Sequence, residues 1–136
     1  MTIQTSVALE NARLDQIETS LGTYPLIELR SGAAPATPET ADSGTLLAII
    51  EPGSDWLAAA AARSKAINGT WPGFGVAAGN IGHFRLKGGP GSPATCQMQG
   101  SVTATGGGGD MTVDNIAVAE GQVVTMTTFT LTGGNA

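Results

Sequence analysis

The chain has 136 residues, a formal net charge of −5 and only 12% charged side chains, which fits one domain that can bury a core without staples. Its single cysteine, Cys96, excludes an intrachain disulfide framework. The six cations, Arg13, Arg30, Arg63, Lys65, Arg85 and Lys87, are scattered, so the basic stripe that a nucleic-acid binder needs to neutralise phosphates is missing.

Residues 5–21 read as a helix. Val7, Leu14, Ile17 and Leu21 form a narrow apolar stripe, and Glu10, Arg13, Asp15, Gln16 and Glu18 fill other positions. Thr5 or Ser6 can cap its start, and Gly22 can end it in a left-handed conformation. Such a stripe either packs on its own domain or forms an arm that docks on a neighbouring subunit.

Residues 26–30 alternate as a strand, and 31–44 form a loop containing Pro35 and Pro38. The apolar run 45–50 fits a buried strand stopped by Pro52-Gly53. In DWLAAAAARSKA, helical propensity and a possible Ser54 cap favour a short helix, but Gly69, Pro72, Gly73 and Gly75 follow closely. A strand near residues 65–71 comes next.

Residues 81–87 place Phe84 and Leu86 on one face and His83, Arg85 and Lys87 on the other. Residues 88–93 make a turn. Residues 95–105 are the clearest strand, with Cys96, Met98, Val102 and Ala104 opposite a Thr/Gln/Ser face. Gly106 to Gly109 reads as a mobile hairpin tip, followed by short strands at 111–115 and 116–118 and a last one at 123–132.

This pattern of short strands and frequent turns predicts a mainly β fold: an antiparallel β-sandwich or jelly roll with an N-terminal α-helix. Residues 1–22 form the helix or arm, and 23–136 a single β-sandwich domain.

The chemistry-bearing residues are few. Alternation puts His83, the only histidine, on the surface and Cys96 in the core, so a Cys-His or Ser-His-Asp site is not expected. One Cys and one His cannot make a usual zinc site. Asp110, Asp114 and Asn115 beside the glycine run could offer oxygen ligands to calcium, but capping of turns explains the two aspartates more simply. The GGGGD run lacks the Lys-Ser/Thr of a phosphate loop. The longest apolar run, 57–62, falls short of the ~20 residues of a membrane span. The N-terminus lacks the pattern of a signal peptide. No catalytic, cofactor-binding or metal-binding residue is expected, and the chain reads as a non-enzyme.

Contact is the remaining mode of action. Three segments are candidates: the helix through Val7, Leu14, Ile17 and Leu21; the loop through Pro35 and Pro38; and the region of Trp56, Trp71 and Phe74. Those aromatics either plug one end of the sandwich or form a patch for a partner or a sugar.

The ordered stretches LIELRSGAAPATPETADSGTLLAII, GHFRL, TCQMQGSVTATGGGGDMTVDN and GQVVTMTTFTLTGGNA resemble a family of small virion proteins encoded in tailed-phage and prophage structural gene clusters. The likeness spans nearly the whole chain. Its motifs are turns and strands, so it carries over no functional residue. It implies a head decoration or cement protein: a small β-rich module on the outer capsid surface, dimeric or trimeric, that bridges major capsid protein subunits and stabilises the shell. The rival expectations are a tail- or fibre-associated virion protein and a glycan-binding module.

Overall fold

The computed structural model describes residues 3–133; Met1, Thr2 and residues 134–136, which close the last of those stretches, lie outside the described residues. Helix α1 spans Val7–Leu21. The Ser6 side chain caps it by accepting from the Leu9 N–H, and Gly22 ends it at φ 75° while donating to the Glu18 carbonyl. Leu14 and Leu21 are buried, and Ile17 packs partly on the core. The helix therefore lies on its own barrel.

Its polar side chains also face inward. Asn11, Asp15 and Glu18, spaced along one helix face, accept from the backbone N–H groups of Arg63 (3.0 Å), Ala60 (2.8 Å) and Leu57 (2.6 Å). This corrects the expected helix over DWLAAAAARSKA. Those amides are satisfied by α1 side chains, so they need no carbonyl four residues back. The segment closes instead in a tight Ala61–Ser64 turn, with Ala62 and Arg63 at positive φ. Helix propensity is a weak prior that such tertiary bonds override. Lys65 lies buried under α1, with its ammonium 2.7 Å from Asp15 Oδ1 and 2.8 Å from the Ala58 carbonyl.

The strands are β1 (Leu26–Ser31), β2 (Leu46–Ile50), β3 (Ser64–Ala66), β4 (Pro72–Gly75), β5 (Gly79–Lys87), β6 (Cys96–Ala104), β7 (Met111–Val113), β8 (Ala117–Val118) and β9 (Val123–Thr132). They correct the expected sandwich. The sheet runs β1-β2-β4-β9-β7-β6-β5, and β5 pairs back onto β1, closing a seven-stranded barrel. β3 adds to β9 and β8 to β5 outside that ring. Alternating apolar residues suit a sandwich and a barrel equally. What separates the two is the pairing of strands distant in sequence, and period-2 patterning is silent on that.

The expectation of a wholly antiparallel sheet needs a second correction. β6 and β7 are parallel, Val102 beside Met111 and Ala104 beside Val113. Parallel neighbours usually need a crossover of a dozen or more residues. Here the glycine run doubles the chain back along its own strand. Gly106 and Gly108 take φ of 87° and 81°, and a Cβ on Gly107 or Gly109 would press on Thr103. The run expected as a hairpin tip instead joins two parallel strands, and its end lies against β6, with the Gly109 N–H donating to Thr103 Oγ1.

Inside the barrel an aromatic chain runs from Trp56 through Trp71 and Phe129 to Phe84, with ring centroids 5.5–5.7 Å apart. Both indoles are anchored: Trp56 Nε1 donates to the Gly22 carbonyl and Trp71 Nε1 to the Trp56 carbonyl. The chain thus ties the helix end to the barrel centre. We expect Trp71→Ala to cost about 3–5 kcal/mol, read as a lower urea midpoint with the slope unchanged.

Candidate functional site

One register row crosses six strands on the outer wall of the barrel. Gln99 on β6 pairs with Arg85 on β5, Arg85 with Glu28 on β1, Glu28 with Ile49 on β2, Ile49 with Phe74 on β4, and Phe74 with Val123 on β9. Its first half is polar and covered. Its second half is apolar and largely bare.

The cover over the polar half is the 32–44 loop, which lies across β1, β5 and β6 as a strap. Arg85 Nη2 donates to the carbonyls of Pro38 (2.9 Å) and Thr40 (2.7 Å), and Nη1 to Gln99 Oε1 (2.7 Å). Gln99 Nε2 donates to the Pro35 carbonyl at 2.7 Å. His83 Nδ1 lies 2.9 Å from the Gly32 carbonyl oxygen; a carbonyl only accepts, so Nδ1 carries the proton. Gly82 lets the strap approach this closely, since a Cβ there would collide with the Gly32 backbone. His83 is fully buried and Arg85 is 2% exposed. This corrects the expected surface position of His83. Alternation gave its face rightly, but that face is roofed by the strap.

Ion pairs complete the strap. Asp42 reaches in with Oδ2 at 2.9 Å from Lys87 Nζ and 3.3 Å from Arg30 Nη2, and Oδ1 at 2.8 Å from Arg85 Nε. The last contact is off the N–H direction: Arg85 Nε, though buried, has no hydrogen-bond partner among the described residues. Glu28 takes Arg30 (2.8 Å) and Lys87 (3.1 Å). Three cations thus share two carboxylates. The Lys87 hydrogen bond and the nearby Arg30 and Arg85 charges outweigh desolvation and hold the Asp42 carboxyl below its ordinary value. Burial pulls the Lys87 ammonium down, but its bonds to Asp42 and Glu28 prevail and raise it. Beside these groups opens a groove of about 500 Å³, lined among others by Thr40, Asp42, Arg85, Lys87, Cys96 and Gln97.

The other half of the row has no such roof. Phe74 is 55% exposed, Val123 58% and nearby Val76 42%, with Ile49 half-buried between Glu28 and Phe74. Gly73 and Gly75 turn inward on either side of Phe74, leaving its ring on the outer wall.

The contact candidates read from sequence fall in different places. Phe74 is on the bare half-row. Val7 is 42% exposed on α1, while Leu14 and Leu21 are buried and Ile17 half-buried against the core. Pro35 and Pro38 are half-buried in the strap and hold it through their carbonyls. Trp56 and Trp71 are interior, each 1% exposed. Sequence reading did not single out Asp42, Gln99, Ile49 or Val123. The outward alternation of Arg85 and Lys87 was the available signal, since two cations facing one way invite an acidic loop.

The two aspartates beside the glycine run are bound within the chain. Asp110 Oδ2 accepts from the Ser101 N–H and hydroxyl, and Asp114 Oδ1 from the N–H groups of Asn115 and Thr125. Ser101 is the cross-strand neighbour of His83, but its hydroxyl bonds Asp110, an order of contacts different from an Asp-His-Ser relay. Cys96 is buried, with Sγ 3.2 Å from the Met98 carbonyl oxygen. Among the described residues no group of three or more His, Cys, Asp or Glu could hold a metal ion, and no helix is long and apolar enough to cross a membrane. Comparison of the chain with protein-family models, with curated proteins and with solved structures finds no match.

The strap contributes to the pH dependence on both the acid and the alkaline side. Asp42 has a depressed folded value, so its contribution is complete above 3.8, its ordinary value, and is lost as pH falls through the folded one. Lys87 has a raised folded value, so its contribution is complete below 10.5 and is lost as pH rises through the folded one. We expect a stability plateau between those limits. Asp42→Asn should flatten the acid limb in urea melts across pH.

Proposed function

We propose that this chain is a phage head decoration protein, a contact module that seats as a homo-oligomer on the outer capsid surface and bridges major capsid protein subunits. The observation that carries the reading is the bare half-row Ile49–Phe74–Val123. A large aromatic and a β-branched residue stand side by side and exposed on rigid barrel strands. Grouped exposed apolar side chains mark interaction surfaces, and aromatics there carry a disproportionate share of binding energy. A closed barrel also leaves few free strand edges, so repeated copies can crowd together without edge-to-edge pairing. The capsid as partner rests on the likeness of the chain's turn and strand motifs to small phage virion proteins. Many modest interfaces on one shell add up through multivalency.

The test uses heads that lack the protein. Phe74→Asp with Val123→Asp places two carboxylates on the outer wall and leaves the interior untouched. Binding to such heads should weaken by at least about tenfold, with the circular dichroism of the barrel unchanged. Undiminished binding overturns the proposed surface. Deleting the gene should leave filled heads that are more sensitive to heat; loss of tails with normal heads overturns the head assignment.

A further inference from the structure

The strap places a carboxylate where an outside anion could sit. Half of the chain's six Lys and Arg residues, Arg30, Arg85 and Lys87, converge within 3.3 Å of Asp42. Without Asp42, Arg30 and Lys87 would keep only Glu28 as an ion-pair partner among the described residues, and Arg85 would have none. Arg85 cannot turn away, because three of its hydrogen bonds lock it beneath the strap. Among the described residues its Nε–H is nevertheless unused: Asp42 Oδ1 is close but off-axis, and that buried nitrogen has no other hydrogen-bond partner there. A carboxylate tethered to the strap satisfies the charge but not the full donor set.

Asp42 is also the part best able to leave. It lies in irregular backbone, its side chain is 32% exposed, and it borders the groove that Arg85 and Lys87 line. The hydroxyl-bearing Thr40 and Thr95 and the amide-bearing Gln97 also line that groove. A planar guanidinium beside an ammonium is the donor set that recognises carboxylate and phosphate oxygens.

We propose that this groove is an oxyanion site closed by the chain's own carboxylate, with Asp42 occupying the place that a phosphate or carboxylate ligand would take. Binding exchanges one carboxylate for another oxyanion on Arg85 and Lys87. Asp42 swings into solvent, and the rest of the strap stays pinned through Arg85, Gln99 and His83. The competing internal carboxylate weakens apparent affinity in proportion to the time it spends in place.

Titration calorimetry at constant ionic strength, with inorganic phosphate in one arm and succinate in the other, tests this and separates the two anion sources. The wild type should bind one of them weakly and saturably. Asp42→Asn should bind the same anion at least about tenfold more tightly, and Lys87→Gln should abolish binding while circular dichroism stays unchanged. If Asp42→Asn fails to fold, the contrast between wild type and Lys87→Gln decides. Absence of saturable binding in the wild type and in folded Asp42→Asn overturns the proposal, as does binding that Lys87→Gln leaves intact.

Discussion

The pairing of β1 with β5 turns a twisted sheet into a barrel, and the main-chain bonds of that pair decide which side chains meet water. Ile27, Leu29, Phe84 and Leu86 point into the closed interior, while Glu28, Arg30, His83, Arg85 and Lys87 point out along the same seam. A seam so rich in charge would ordinarily be left to solvent. In this chain it is roofed, because the loop leaving β1 folds back over it before entering β2. Closure and strap are therefore one arrangement: the strands set the spacing of the charges, and the loop brings the Asp42 carboxylate that partly neutralises them.

A buried arginine sets the terms for that roof. Desolvating a guanidinium is costly unless its donors are met. Arg85 meets most of that cost with two strap carbonyls and the Gln99 side chain. The strap is thus held by directional hydrogen bonds, with little apolar contact required. The row it covers continues without interruption into half-buried Ile49 and the exposed Phe74 and Val123, over which no strap lies. The same wall presents a closed polar half and an open apolar half.

Helix α1 follows the same logic in another place. Of its apolar residues, Leu21 joins the barrel core, Ile17 packs against that core, and Leu14 is buried. Its Asn11, Asp15 and Glu18 side chains stand in for a missing strand by accepting from the amides of Arg63, Ala60 and Leu57. An alanine-rich segment of helical propensity is held out of a helix by this exchange of partners, and the Ala61–Ser64 turn brings Lys65 under α1.

The sequence by itself determined the local elements. Ser6 and Gly22 bound the helix, and alternation in β5 and β6 assigned Phe84, Leu86 and Val102 to the core, because caps and period-2 patterns depend only on neighbours along the chain. It also placed His83, Arg85 and Lys87 together on the face away from that core. The tertiary structure alone decided that the sheet closes, that β6 and β7 run parallel, that the 57–63 segment is not a helix, and that His83 lies beneath a roof. Each of these depends on partners far apart in sequence: β5 for β1, the 32–44 loop for β5, and the α1 carboxylates for the alanine run. The sequence left Trp56, Trp71 and Phe74 open between an interior plug and an exposed patch; the structure buries the first two and exposes the third. Whether an aromatic faces water is set by which strand lies beside it and on which side of the closed wall it falls.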